Sequence, residues 1–281
     1  MNVQSSNFDR KDLDAFRSFQ RQSFATLEEV EGQLRAGMTE KQAADMLRRA
    51  FAHRGVHAYF HVPVALFGTR TAYPGNFGRF EALPTEQVLE QGMPVILDAA
   101  PIFHGHVVDT SLSTTLGRNA THARLFPELA AFRERILGRV RERQSFRAIE
   151  REAHSMIRAL GAENCHRKHI GAVIGHRVYR TPDYPWNRIA LGGLSLAHVG
   201  WLLWKSVAAI KGWENDSPNW NHKRTSAHAP FPGLWAVEPH FAVDGVGVKF
   251  EEILVITEDD AHWLDDEPPH VKRWNVLRRS A

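Results

Sequence analysis

The sequence predicts one domain of the α+β class, on three observations. Apolar residues recur at helical spacing through the first fifty positions and again over 123–160; runs rich in Val, Ile and Phe lie between and after them; and no internal repeat or low-complexity linker divides the 281 residues. A chain of this length can bury one sizeable core. Its 43% hydrophobic and 24% charged residues exclude a disordered or fibrous protein.

In the 8–34 segment, Leu13, Phe16, Phe19, Phe24, Leu27, Val30 and Leu34 form one helical stripe, which Gly37 stops. Thr39-Glu40-Lys41-Gln42 is a capping box that opens a second helix, with Ala43, Leu47, Ala50 and Phe51 inward and Gly55 at its end. Strands are expected at 58–66, 94–99 and 106–116, and helices at 123–143 and 145–160. Residues 177–232 are irregular, broken by Pro182, Pro185, Pro218, Pro230 and Pro232, and hold five of the eight tryptophans. Within them, 191–210 is mostly apolar, yet His198, Lys205 and three glycines interrupt it, so it is read as a helix packed on protein and not as a membrane span. Strands return at 234–243 and 247–257, before a charged, proline-broken tail from Asp265.

Several function classes drop out. The single cysteine, Cys165, excludes an internal disulfide framework and a cysteine-rich zinc site, and beside His166 it reads as a small buried side chain. Gly193-Leu194-Ser195-Leu196-Ala197 lacks the last glycine of a nucleophile elbow. The arginines of 133–151 alternate with Glu134, Glu142, Glu150 and Glu152, which describes a solvated helix face, so no nucleic-acid partner is expected at a formal charge of +3. His104-Gly105-His106 falls in an expected hairpin turn and is read as exposed. No secretory signal is visible at the start, and the cytoplasm is the expected compartment.

Four acids sit where acids are normally avoided. Asp98 ends the run Val95-Ile96-Leu97, Asp109 follows Val107-Val108, Glu238 follows Trp235-Ala236-Val237, and Glu251 lies in Val248-Lys249-Phe250-Glu251-Glu252-Ile253. A buried unpaired carboxylate is costly, so such groups need a cation, a hydrogen-bond network or a proton. A turn at 101–105 would let Asp98 and Asp109 face each other across a hairpin, and Glu238 and Glu251 could do the same from a second antiparallel pair. With one histidine, the set could hold two divalent ions.

Asp98, Asp109, a histidine near 169, Glu238 and Glu251 resemble the five-ligand series of the methionine aminopeptidase, Xaa-Pro aminopeptidase and creatinase family, the pita-bread metallohydrolases of family M24. The strings Gly92-Met93-Pro94-Val95-Ile96-Leu97-Asp98, Val108-Asp109-Thr110-Ser111, Pro232-Gly233-Leu234-Trp235-Ala236-Val237-Glu238-Pro239 and Phe250-Glu251 carry the resemblance, from Gly37 to Thr257. It implies an α+β pita-bread fold over 1–281, with 177–232 as a tryptophan-rich insertion that lids the site or makes a dimer contact. It also implies a metal site of Asp98, Asp109, His169, Glu238 and Glu251 holding two divalent ions, manganese foremost, with iron, cobalt or zinc as alternatives. His176, seven positions after His169, would steady an oxyanion, and Glu238 would shuttle a proton.

The flanking glycines expected around His169 are absent, and the family's histidine near the active-site floor is missing at Tyr73-Pro74-Gly75, where His61 or His57 could substitute. The implied activity is hydrolysis of a small peptide or amide, with Xaa-Pro dipeptides leading, by a homodimer. The alternatives are a relative acting on a small non-peptide substrate and a non-catalytic scaffold of the same fold.

Overall fold

The computed structural model describes residues 3–75, 81–182, 185–213 and 217–280. Positions 183–184 and 214–216, within the segment expected to be an insertion, lie outside the described residues. Helix α1 (Arg10–Glu31) starts where the Asp9 side chain accepts the Asp12 N–H, and α2 (Glu40–His53) starts on the expected Thr39–Gln42 capping box. Both bury their apolar stripes against a three-stranded antiparallel sheet of β1 (Val64–Phe67), β2 (Pro94–Ala99) and β5 (Thr110–Thr115), in the order β1-β2-β5.

The strand expected at 106–116 is interrupted. A small hairpin of β3 (Ile102–Phe103) and β4 (His106–Val107) turns at His104-Gly105, and the chain then leaves that pairing to join β2. Gly105 takes φ +83°, and a side chain there would run into the Thr181 carbonyl. Asp98 consequently pairs with Ser111, and Asp109 lies just before β5 instead of opposite Asp98. His106 is buried against Phe16 and Phe19, contrary to the exposed reading.

The helix expected at 123–143 is also split, into α3 (Ala120–Leu125) and α4 (Leu129–Arg141). Pro127 supplies no N–H for a continuous ladder and sits in a 3₁₀ turn between them. After α5 (Phe146–Ala159), capped by Ser145, come β6 (Glu163–Asn164), β7 (Val173–Val178), the short pair β8 (Ala190–Leu191) and β9 (Leu194–Ser195), α6 (Leu196–Lys211) and β10 (Asn219–Asn221). The last strands are β11 (Gly233–Val237), β12 (His240–Val243), β13 (Val246–Lys249), β14 (Glu252–Ile256) and β15 (Ala261–Trp263). The proline-broken tail forms helix α7 (Pro269–Ser280), with proline in its first turn, where a missing N–H costs nothing.

A five-stranded sheet, β10-β7-β11-β14-β15, divides the molecule's apolar interior. Strand alternation sends Leu234, Ala236, Ile253 and Val255 into the cluster beneath α1 and α2. Trp235, Val237, Leu254 and Ile256 face the second cluster, with Phe132, Ile136, Phe146 and Trp274. The two sheets meet at a bridge between Ser111 and Glu251. Helix α6 packs on protein as expected, but on one side only. It buries His198 and Ala208, while Leu203, Trp204, Val207 and Ile210 are exposed, because the helix is apolar on all sides and docks on one. Among the described residues, no helix is long and apolar enough to cross a membrane.

Candidate metal centre

The acids from the two sheets converge at their seam. Asp98 is the penultimate residue of β2, Asp109 precedes β5, Glu238 follows β11 and Glu251 precedes β14, all of them buried. They form the floor of a cavity of about 480 Å³. Its wall is apolar: Phe60, Val64, Leu83 and Leu194 on one side, and Val199 and Leu202 of α6 on another. A charged floor under an apolar wall is the arrangement expected of a small-molecule site.

Two histidines aim ring nitrogens at these acids. His61 Nδ1 lies 3.0 Å from the Val62 carbonyl and His176 Nδ1 lies 3.2 Å from the Arg177 carbonyl. A carbonyl can only accept, so Nδ1 carries the hydrogen in both rings and Nε2 points into the site. His61 Nε2 stands 3.2 Å from Asp109 Oδ1 and 3.4 Å from Asp98 Oδ1. His176 Nε2 stands 3.2 Å from Asp109 Oδ2 and 3.7 Å from Glu251 Oε1. Asp109 thus offers one oxygen to each of two three-donor groups, His61–Asp98–Asp109 and Asp109–His176–Glu251. Asp98 Oδ1 is buried without a hydrogen-bond partner.

His169 is placed differently. Its Nδ1 lies 2.8 Å from Glu238 Oε2 and its Nε2 lies 3.0 Å from His240 Nδ1, while His240 Nε2 donates to the Thr71 carbonyl at 2.7 Å. Both nitrogens of His169 are engaged with protein. Of the five ligands that the sequence suggests, Asp98, Asp109 and Glu251 fall in the three-donor groups, whereas His169 and Glu238 pair with each other beside them. His176, expected to steady an oxyanion, stands among the donors.

The remaining cation comes from the chain itself. The Lys249 ammonium donates to Asp98 Oδ2 at 2.7 Å, to Glu238 Oε2 at 3.0 Å and to Glu251 Oε2 at 3.0 Å. No role for Lys249 is evident from its apolar run, although its spacing from Glu251 puts both on one face of an extended segment. His61 is legible only as one of two candidates.

Crowded charge sets the proton affinities. Burial and the charges of Asp109 and Glu238 push the Glu251 carboxyl up to about 8, against the opposing pull of Lys249. Burial also works against ionised Asp109 and Glu238, but the surrounding cations win: His61 and His176 hold Asp109 down at about 2, and His169 and Lys249 hold Glu238 well below the usual range. Burial disfavours charge on His61 too, yet Asp109 and Asp98 raise it to about 10.

The fold and this donor-lined cavity define an α+β protein of the pita-bread class. A model of metallopeptidase family M24 matches residues 14–258, and the chain belongs to that family. In structure it is similar to the X-Pro aminopeptidase from Thermotoga maritima, with 17% identity and a TM-score of 0.66 over 94% of this chain and 63% of that one. It is also similar to the Xaa-Pro dipeptidase from Bacillus anthracis (16% identity, TM-score 0.61, 92% of this chain and 62% of that one). The prolidase from Pyrococcus furiosus is a third such structure, at 13% identity and a TM-score of 0.64, over 92% of this chain and 65% of that one. The chain therefore spans less than two thirds of the length of these proteins. None of the curated proteins compared matches its sequence.

Proposed function

We propose that the chain is a metal-dependent hydrolase that cleaves a small peptide or amide bond in this cavity, with Xaa-Pro dipeptides as the first substrates to test. The observation that carries the reading is the convergence of Asp98, Asp109, Glu251, His61 and His176 on the floor of an apolar-walled cavity, in a chain of family M24. The residues suit a hard divalent ion. Carboxylate oxygens and imidazoles favour manganese, iron or cobalt over sulfur-seeking metals. The Nδ1–H groups of His61 and His176 are held by backbone carbonyls, which fixes each ring so that Nε2 is presented as a ligand. The orphaned Asp98 Oδ1 is a further free donor.

Asp109, His176 and Glu251 would hold an ion, with His61 and Asp98 closing its other side. Such an ion supplies Lewis acidity, polarising a carbonyl and making water a nucleophile near neutral pH. The chain does the rest. Phe60, Leu83, Val199 and Leu202 exclude water and seat an apolar side chain or proline ring. Glu238 borders the reacting centre as the candidate proton carrier.

The exposed apolar face of α6 supports a homodimer. The test is a hydrolysis screen of manganese-loaded protein against Xaa-Pro dipeptides, other dipeptides and small non-peptide amides. Turnover of any of them that Asp109→Asn reduces at least a hundredfold supports the reading. Turnover of none by protein that holds manganese favours the scaffold of the same fold.

A further inference from the structure

We propose that the Lys249 ammonium is a built-in cation that stands in place of one of the two ions expected in this site, so that the chain takes a single divalent ion on the Asp109 side. The inference deepens the hydrolase reading and rests on it for the remaining ion.

The geometry carries the argument. The family resemblance implies five ligands shared between two ions, with Asp98, Glu238 and Glu251 among them. In this chain one ammonium nitrogen reaches an oxygen of each of those three acids, at 2.7, 3.0 and 3.0 Å. An ammonium has three hydrogens to donate, and all three are directed at carboxylates. A divalent ion bound to the same oxygens would be pressed against a fixed positive charge in a water-poor pocket, where like charges repel far more than in water.

Nor can the side chain readily leave. Lys249 is 1% exposed and ends β13. Its backbone is clamped on both sides by one hydroxyl: Ser113 Oγ donates to the Lys249 carbonyl at 2.7 Å and accepts the Lys249 N–H at 2.8 Å.

The neighbouring donors agree. In the other half of the ligand set, His169 and Glu238 are bound to each other and to further protein groups. His169 spends one ring nitrogen on Glu238 and the other on His240, and Glu238 Oε2 also receives Lys249. On the other side, around Asp109, both Nε2 atoms meet only the carboxylates that would share an ion with them, and Asp98 Oδ1 accepts no hydrogen bond. Charge points the same way. Four carboxylates balance two divalent ions, but four carboxylates that already hold an ammonium balance only one, with a single negative charge to spare.

The test is manganese(II) titration by calorimetry, with elemental analysis of the desalted protein, on wild type, Lys249→Gln and Lys249→Arg, and circular dichroism to confirm that each folds. The inference expects one ion per chain in wild type and Lys249→Arg, and a second ion in Lys249→Gln. Two ions in wild type overturn it and leave the hydrolase reading standing. No ion in wild type but binding in Lys249→Gln keeps the ammonium as the resident cation and defeats the metal-dependent reading. No ion in either defeats both. If Lys249→Gln does not fold, the wild-type count still decides, one ion for the inference and two against it.

Discussion

Glu251 and Glu252 are adjacent in sequence and equally buried, yet they belong to different parts of the molecule. Strand alternation turns Glu251 into the cavity, where it shares one ammonium with Asp98 and Glu238 and where burial and neighbouring acids push its carboxyl up to about 8. Glu252 faces the opposite side of the sheet. There Arg133 grips it with two hydrogen bonds, 2.6 and 3.1 Å, and His270 adds one at 2.9 Å. Burial opposes its charge, but His270 and Arg133 outweigh that and lower its pKa. A carboxylate with partners of its own serves the fold. One left to compete for a shared cation serves a site, because the charge it lacks must come from outside the chain or from a proton.

The largest expected effect breaks the structural side of this pair. Glu252→Ala strands Arg133, whose side chain is only 15% exposed, and removes a buried ion pair, so unfolding stability should fall by about 3–5 kcal/mol. Denaturant unfolding measures it, and manganese binding by the folded variant should be unchanged.

Next comes the site. Asp109→Asn should lower turnover about a hundredfold or more, roughly 2.7 kcal/mol of transition-state stabilisation, with little loss of stability. Steady-state kinetics beside a thermal melt separates the two effects.

Glu251→Gln should cost the metal-free fold little, because it removes one of four crowded acids. Its sign should depend on pH. A carboxyl raised from 4.5 to about 8 in the folded state contributes stability that is fully present below pH 4.5 and is lost as pH rises towards 8. Metal-free Glu251→Gln should therefore gain on wild type across that window. The Glu252 carboxyl runs the other way: its contribution is present above 4.5 and is lost as pH falls through its lowered folded value. Melts of both variants from pH 8 down to well below 4.5 check the opposition: the Glu251 difference should change above 4.5 and the Glu252 difference below it, and parallel curves would contradict it.

The same contrast explains what the sequence disclosed. Asp98, Asp109, Glu238 and Glu251 were legible because each breaks an apolar run, and α1, α2 and α5 because caps and stripes are local signals. Lys249 was not, since a lysine alternating with Val248 and Phe250 in a strand reads as solvent-facing, and it takes the meeting of the two sheets, with Ser111 against Glu251 and Ser113 against Lys249, to bury it. The eleven-residue spacing from Asp98 to Asp109 suggested a plain hairpin, but the β3–β4 turn takes up the intervening residues. His169 kept its distance from His176 along the chain, yet its contacts with Glu238 and His240 depend on tertiary packing that no spacing encodes. The arginine run read as a solvated face, while Arg133 is the half-buried partner of the buried Glu252.

The most direct test of the account is manganese bound per chain at equilibrium in wild type, Asp109→Asn and Glu252→Gln. The account predicts binding by wild type and Glu252→Gln and its loss in Asp109→Asn. Equal binding by all three proteins would contradict it.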